Sequence, residues 1–100
     1  MQNQMKVSQF YNKNQFVIEG QGVTIFQSYD STIAIIDSKN HLTLGCDWDY
    51  SNTTRKHLYL FLNDYSYNAT IQEALQETNK RKAFQKLIDD GFITYDQNLR

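Results

Sequence analysis

The chain has 100 residues, the size of one domain, and 40% of them are hydrophobic and 14% aromatic, which is enough for one modest core. Its formal net charge of -1 disfavours both a strongly basic nucleic-acid binder and a strongly acidic mimic of nucleic acid. The single cysteine, Cys46, excludes an intramolecular disulfide, and the sequence has no apolar run of signal-peptide or membrane-span length, so we expect a cytoplasmic protein.

The N-terminal segment is mostly polar. Residues 1–14 are mostly Gln, Asn, Lys and Ser, and Phe10 and Tyr11 are the only candidates for anchoring them. Because such a segment has little apolar surface to bury, we predict a mobile arm at residues 1–14 and a single α+β domain at residues 15–100.

Short β-rich runs separated by turn residues follow the arm. Candidate strands cover residues 16–19, 23–29, 32–37 and 41–46. The third run is nearly all apolar, which indicates burial on both faces and a central place in the sheet. Because only short turns separate the runs, the simplest topology is an antiparallel meander of about four strands.

The pattern then becomes helical. Three consecutive capping residues at positions 51–53 precede apolar positions that recur at helical spacing up to Tyr65. Residues 57–62 also alternate as a strand does, so helix and strand both stay open for that run.

Two further helical stretches are indicated after residue 69. Residues 70–73 have the form of a capping box that starts at Thr70, and residues 83–88 carry another apolar stripe. Gly91 is a natural helix C-terminal residue, and residues 92–95 could return as a short strand. The assembled prediction is α+β: the meander, then two or three helices packed on one face, with a C-terminal strand as an option.

Patterns of catalytic or ligand-binding residues do not rise above chance in this sequence. His41, Cys46, Asp47 and His57 lack the close pairs of a zinc site, and a lone cysteine at a strand end is usually a small core residue. A minor enzyme alternative would pair Cys46 with His57. We predict a protein that is not an enzyme, with no catalytic residue, no metal ligand and no cofactor.

The strongest surface signal combines aromatic and acidic residues on both sides of the central helix. Four of these residues precede the helix and three follow it: Asp47, Trp48, Asp49, Tyr50, Asp64, Tyr65 and Tyr67. Trp and Tyr are enriched at the centres of protein interfaces, and carboxylates bind arginine side chains well. We predict these seven residues as partner contacts, while the alternative is that Trp48 and half of the tyrosines close the core.

One basic cluster lies near the C-terminus. Its members could meet phosphates along one helix face, with weak and salt-sensitive binding: Lys80, Arg81, Lys82 and Lys86. Pairing with Glu73 and Glu77 within the helix explains the same residues equally well.

Two segments of the sequence resemble a known protein family. Residues 25–34 (IFQSYDSTIA) and 48–58 (WDYSNTTRKHL) are similar to a family of small uncharacterised proteins carried by phages, plasmids and other mobile elements of low-GC Gram-positive bacteria. The resemblance covers residues 15–65 and leaves the C-terminal helices outside. It implies a setting, since short accessory genes of such elements often encode stoichiometric inhibitors of host defence, including anti-CRISPR proteins. It carries over no catalytic residue.

These observations lead to one main functional hypothesis. We expect a non-enzymatic binding protein of a phage or mobile element, acting in the host bacterial cytoplasm. It would inhibit a host defence nuclease, with a Cas effector as the main candidate, by stoichiometric protein-protein contact. The alternative is a nucleic-acid-binding accessory protein that uses the basic helix face at residues 79–86. We expect no membrane partner, and the sequence leaves a homo-oligomer open.

Overall fold

One six-stranded sheet forms the framework of the computed structural model, which describes residues 5–100 except the side chain of Asn12. The strands are β1 (Lys6–Phe10), β2 (Asn12–Gly20), β3 (Val23–Ser28), β4 (Ser31–Ile36), β5 (Leu42–Gly45) and β6 (Thr94–Asp96). The helices are α1 (Asn52–Tyr65), α2 (Ala69–Ala74) and α3 (Lys80–Asp89). Helix α1 packs on one face of the sheet, and α2 and α3 complete the core beside it.

Each strand pairs with its neighbours in the sequence. Strands β1 to β5 form an antiparallel meander, and β6 returns after the helices to pair in parallel with β5, with Thr94 opposite Thr43. This arrangement confirms the predicted α+β fold, including the helices after the meander and the short C-terminal strand.

The N-terminal strands extend the sheet into the segment predicted as an arm. Residues 1–4 lie outside the described residues. Residues 6–14 form β1 and the start of β2, so the prediction of an arm is wrong for them. The physical reason is that even polar strands gain ladder hydrogen bonds from an adjacent partner, and the buried Phe10 ring anchors this hairpin to the core.

The core lies between the sheet and α1. Val17, Phe26 and Ala34 occupy directly paired positions on adjacent strands and are buried. The Phe26 ring stacks on Phe61 of α1, with ring centroids 5.2 Å apart. Because side chains alternate along a strand, this single row of positions places three strands in one core cluster with the helix.

Helix α1 settles the ambiguity at residues 57–62 in favour of helix. Its N-cap is Ser51, whose hydroxyl accepts a hydrogen bond from the backbone N–H of Thr54 at 3.1 Å. Its buried residues recur at helical spacing: Thr54, His57, Leu58, Phe61 and Leu62. The cap fixes where the helix starts, and a period of 3.6 residues then brings these side chains onto one face.

Helix α2 begins earlier than the capping box predicted. The Oδ1 atom of Asn68 accepts hydrogen bonds from the backbone N–H groups of Thr70 and Ile71, at 2.9 and 3.2 Å. The prediction of Thr70 as the N-cap is therefore wrong, because Asn68 comes first and already satisfies these amides. Asn79 caps α3 in the same way, accepting from the N–H of Lys82 at 3.1 Å.

Candidate binding surfaces

The residues predicted as contacts before α1 do not form one surface. Trp48 is only 3% exposed and belongs to the core, as the alternative interpretation stated, whereas Tyr50 is 80% exposed. Asp47 is half-buried and accepts a hydrogen bond from the Ser31 hydroxyl at 2.8 Å. Of this group, Tyr50 therefore offers the most surface to a partner.

Asp49 is bound within the molecule. Its Oδ1 atom contacts the Arg55 guanidinium, and its Oδ2 atom accepts a hydrogen bond from Nε of Arg81 at 2.7 Å. The side chains of Asp49 and Arg55 are about four-fifths buried. The carboxylate thus ties the loop before α1 to both α1 and α3, and its charge is already compensated.

The residues predicted as contacts at the C-terminal end of α1 do come together, and Tyr11 joins them. The Tyr11 hydroxyl donates a hydrogen bond to Oδ2 of Asp64 at 3.3 Å, across 53 positions of sequence. Tyr65 stacks on Phe61 with centroids 5.1 Å apart. Tyr67 is 87% exposed and Tyr11 63% exposed. We call Tyr11, Asp64, Tyr65 and Tyr67 the tyrosine-aspartate surface.

Electrostatics supports this grouping. The negative charge of Asp64 raises the pKa of Tyr11 above its ordinary value. Partial burial is the largest cause that raises the pKa of Tyr65, followed by the charges of Glu19 and Asp64. Both phenols therefore stay protonated at neutral pH and keep their hydroxyl groups as hydrogen-bond donors.

Tyr11 belongs to the predicted arm and is not among the predicted contacts. Its pairing with Asp64 depends on the β1–β2 connection lying near the C-terminal end of α1, which is a tertiary relation.

The predicted basic cluster divides between two sides of α3. Lys80 and Arg81 line an open groove together with Arg55 and Lys56 of α1, and we call this the cationic groove. Lys82 and Lys86 line a different depression that also contains four acidic residues: Glu73, Glu77, Asp89 and Asp90. Lys86 pairs with Asp90 at 2.8 Å, which raises the pKa of the lysine. The four predicted residues therefore do not share one face.

Among residues 5–100, no group of three or more His, Cys, Asp or Glu side chains is placed to hold a metal ion. The Cys46 thiol contacts the Asp47 carboxylate at 3.6 Å, and the His57 ring contacts the backbone carbonyl of Thr53 at 2.9 Å. None of the helices in this part of the chain has the length and apolar character needed to cross a membrane.

The chain belongs to a protein family described as "Family of unknown function (DUF8033)", whose profile matches residues 1–85. No curated protein and no solved structure shows significant similarity to it. The matched part includes the tyrosine-aspartate surface and all four cations of the cationic groove.

Proposed function

We propose that this member of a family of unknown function is a non-enzymatic binding protein that acts by stoichiometric contact through its tyrosine-aspartate surface. The observation that carries the proposal is the meeting of Tyr11 with Asp64, 53 positions apart, beside Tyr65 and the exposed Tyr67. Tyrosine rings bury a large area at low entropic cost when a partner covers them.

Asp64 gives this surface its preference for a partner. Its carboxylate accepts hydrogen bonds from Tyr11 and, at 3.5 Å, from the Asn63 amide, and it forms no ion pair among the described residues. Glu19 adds a second negative charge close enough to affect the Tyr65 phenol. An arginine of a partner is the group that such a site would bind most favourably.

We place the partner among host defence nucleases, with a Cas effector as the first candidate. Such enzymes hold nucleic acid with arginine-rich surfaces, so an acidic surface rimmed by aromatic rings competes for the same guanidinium groups. The resemblance of residues 15–65 to proteins of phages and other mobile elements supports the same setting. Inhibition would need no chemistry from this chain.

The experiment is co-purification with candidate effectors, followed by a cleavage assay with increasing amounts of this protein. We expect one-to-one complexes and inhibition, and a loss of inhibition of tenfold or more for Tyr67→Ala and for Asp64→Arg, roughly the effect of an interface hot spot. Uninhibited cleavage by every effector tested at saturating protein would end the proposal.

Tyr29 provides a matched control for Tyr11. Both rings are 63% exposed, and both backbones have positive φ, 66° at Tyr11 and 54° at Tyr29. Replacement by alanine therefore removes the same exposed area and has the same backbone consequence at the two positions. We expect Tyr11→Ala to weaken inhibition and Tyr29→Ala to leave it unchanged, whereas equal effects would contradict the assigned surface.

A further inference from the structure

We infer that the cationic groove binds a phosphate-bearing ligand. The groove lies between α1 and the segment that joins α2 to α3, and its volume is about 850 Å³, in the range of small-molecule sites. Four cationic side chains line it, namely Arg55, Lys56, Lys80 and Arg81, and none of its described lining residues is acidic. The groove contains no residue of the tyrosine-aspartate surface, so phosphate binding here does not depend on the proposed function.

The charge at this groove is unbalanced. Asp49 does not line the groove, but it contacts Arg55 and Arg81 from the side and compensates part of their charge. Four cations and this one carboxylate leave 4 − 1 = +3. Like charges held close together repel each other, so a bound phosphate group would relieve the repulsion.

The start of α3 adds partial positive charge at the same place. Thr78 and Asn79 lie directly before the helix and line the groove, as do its first two residues, Lys80 and Arg81. The N-terminal end of a helix carries the positive end of its dipole, which favours anions within about one turn. This field and the four side chains therefore act in the same direction.

The groove also has an apolar wall with an available donor. Tyr59, Leu60 and Leu75 line it, and the Tyr59 ring stacks on Phe84 with centroids 5.4 Å apart. The Tyr59 hydroxyl is buried and has no hydrogen-bond partner among the described residues, and burial raises its pKa, so it remains a donor. An acceptor oxygen near Arg55 and Arg81 would satisfy it.

A purely structural interpretation explains only part of this arrangement. The contacts of Asp49 with Arg55 and Arg81 hold α1 and α3 together, which accounts for the two arginines. Lys56 and Lys80 form no ion pair among residues 5–100, yet they line the same groove. Phosphate esters are the common chemistry of a free nucleotide and of a nucleic-acid backbone, and both would bring the aromatic face of a base to the wall.

The test measures binding of two probes by the full chain, ATP and a labelled oligothymidylate of about twelve nucleotides, each over a range of salt concentrations. Binding of ATP alone would identify a nucleotide site, and tighter binding of the oligonucleotide would identify a backbone site. Binding of either supports the inference. No binding of either probe at low ionic strength would overturn it.

Two double variants with equal changes in charge locate the site. Lys56→Gln with Lys80→Gln removes two cations from the groove, and Lys82→Gln with Lys86→Gln removes two from the other side of α3. We expect the first pair to weaken oligonucleotide binding about tenfold or more at 0.1 M salt and to reduce the salt slope by about 1.4. The second pair should stay within about twofold, a change that reflects net charge at long range. Equal losses would contradict a localised site.

Asp49→Asn is the sharper test, because it removes the anion that competes for the two arginines. If Arg55 and Arg81 contribute to phosphate binding, this variant binds both probes several-fold more tightly than the parent protein, because the carboxylate no longer compensates their charge. If the carboxylate serves only to connect helices, thermal stability falls and probe binding does not improve. The second result, obtained with protein shown by circular dichroism to be folded, would refute the assigned role of the arginines.

Discussion

Trp48 and Tyr50 lie two positions apart and have opposite environments. The backbone N–H of Trp48 donates to the carbonyl of Gly45, and that of Tyr50 donates to the carbonyl of Asp47, so the chain turns twice before α1. These turns leave the indole in the core and the phenol in water. The two rings should therefore differ strongly in what they contribute to stability and in what they offer to a partner.

We predict that Trp48→Ala lowers the free energy of unfolding by about 3–5 kcal/mol, because it removes a large buried ring and leaves a cavity. Tyr50→Ala should change it by no more than about 0.5 kcal/mol. Urea unfolding followed by circular dichroism measures both variants. Tryptophan fluorescence cannot follow the unfolding of Trp48→Ala, because Trp48 is the only tryptophan. In the parent protein, iodide should quench the Trp48 fluorescence poorly, and efficient quenching would contradict its burial.

Residue type and spacing identified the aromatic and acidic residues but not how the fold distributes them. Trp and Tyr bury well and also tolerate water, so the sequence could not place Trp48. The partner of Asp49 on α3, Arg81, is 32 positions away, and that of Asp64 is 53 away. These pairs depend on how elements pack, which local patterns do not encode.

The sequence was sufficient to predict turns and helix ends whose hydrogen bonds are made by residues close together in the chain. The turn between β4 and β5 is such a case, since the Asp37 carboxylate accepts hydrogen bonds from the backbone N–H groups of Lys39 and His41 at 2.9 and 3.0 Å. Asn40 within it has φ of 64°, which Asn tolerates better than most residues. The serine, lysine and asparagine at positions 38–40 were therefore readable as a turn, as was Ser51 as a cap.

A pH dependence follows from this turn. The hydrogen bond from the His41 N–H is the largest cause that lowers the pKa of Asp37 below its ordinary 3.8. Because the folded form binds the proton less tightly than the unfolded chain, Asp37 stabilises the fold above about pH 4, and this contribution is lost as the pH falls through the lowered pKa. We expect Asp37→Ala to lower the melting temperature at pH 7 and to have a smaller effect near pH 2.

Thermal melts of the parent and of Asp37→Ala across this range provide the measurement. Asp37→Asn is the control, since it keeps an acceptor oxygen while removing the charge, and it should fall between the two. A melting-temperature difference that is the same at both ends of the range would show that the carboxylate charge makes no contribution to the turn.

At the scale of the whole molecule, the N-terminal hairpin completes the core. The Phe10 ring lies at centroid distances of 5.7 Å from Phe26 and 6.2 Å from Phe61, so β1, β3 and α1 meet at one aromatic cluster. The polar composition of residues 1–14 concealed this role, because one buried ring in a polar strand produces no periodic signal. Backbone pairing with β2 accounts for the rest.

We predict that Phe10→Ala lowers the free energy of unfolding by about 3 kcal/mol or more. Val7→Ala on the same strand, where the side chain is exposed, should cost about 1 kcal/mol or less. Chemical denaturation of the two variants checks this. If Phe10→Ala left the free energy of unfolding unchanged, the result would instead support a loosely attached N-terminal segment.

The two proposed binding surfaces use different faces of α1, so they should act independently. Tyr65 packs on Phe61 toward the sheet, whereas Lys56 and Tyr59 line the groove toward α3.

Replacing Tyr11 and Tyr67 by alanine should leave ATP and oligonucleotide binding unchanged, and replacing Lys56 and Lys80 by glutamine should leave inhibition of the protein partner unchanged. Effects of distant changes add within about 0.5 kcal/mol, so the combined variant should show the sum of both losses. Competition between a phosphate probe and the protein partner would instead contradict the independence of the two surfaces.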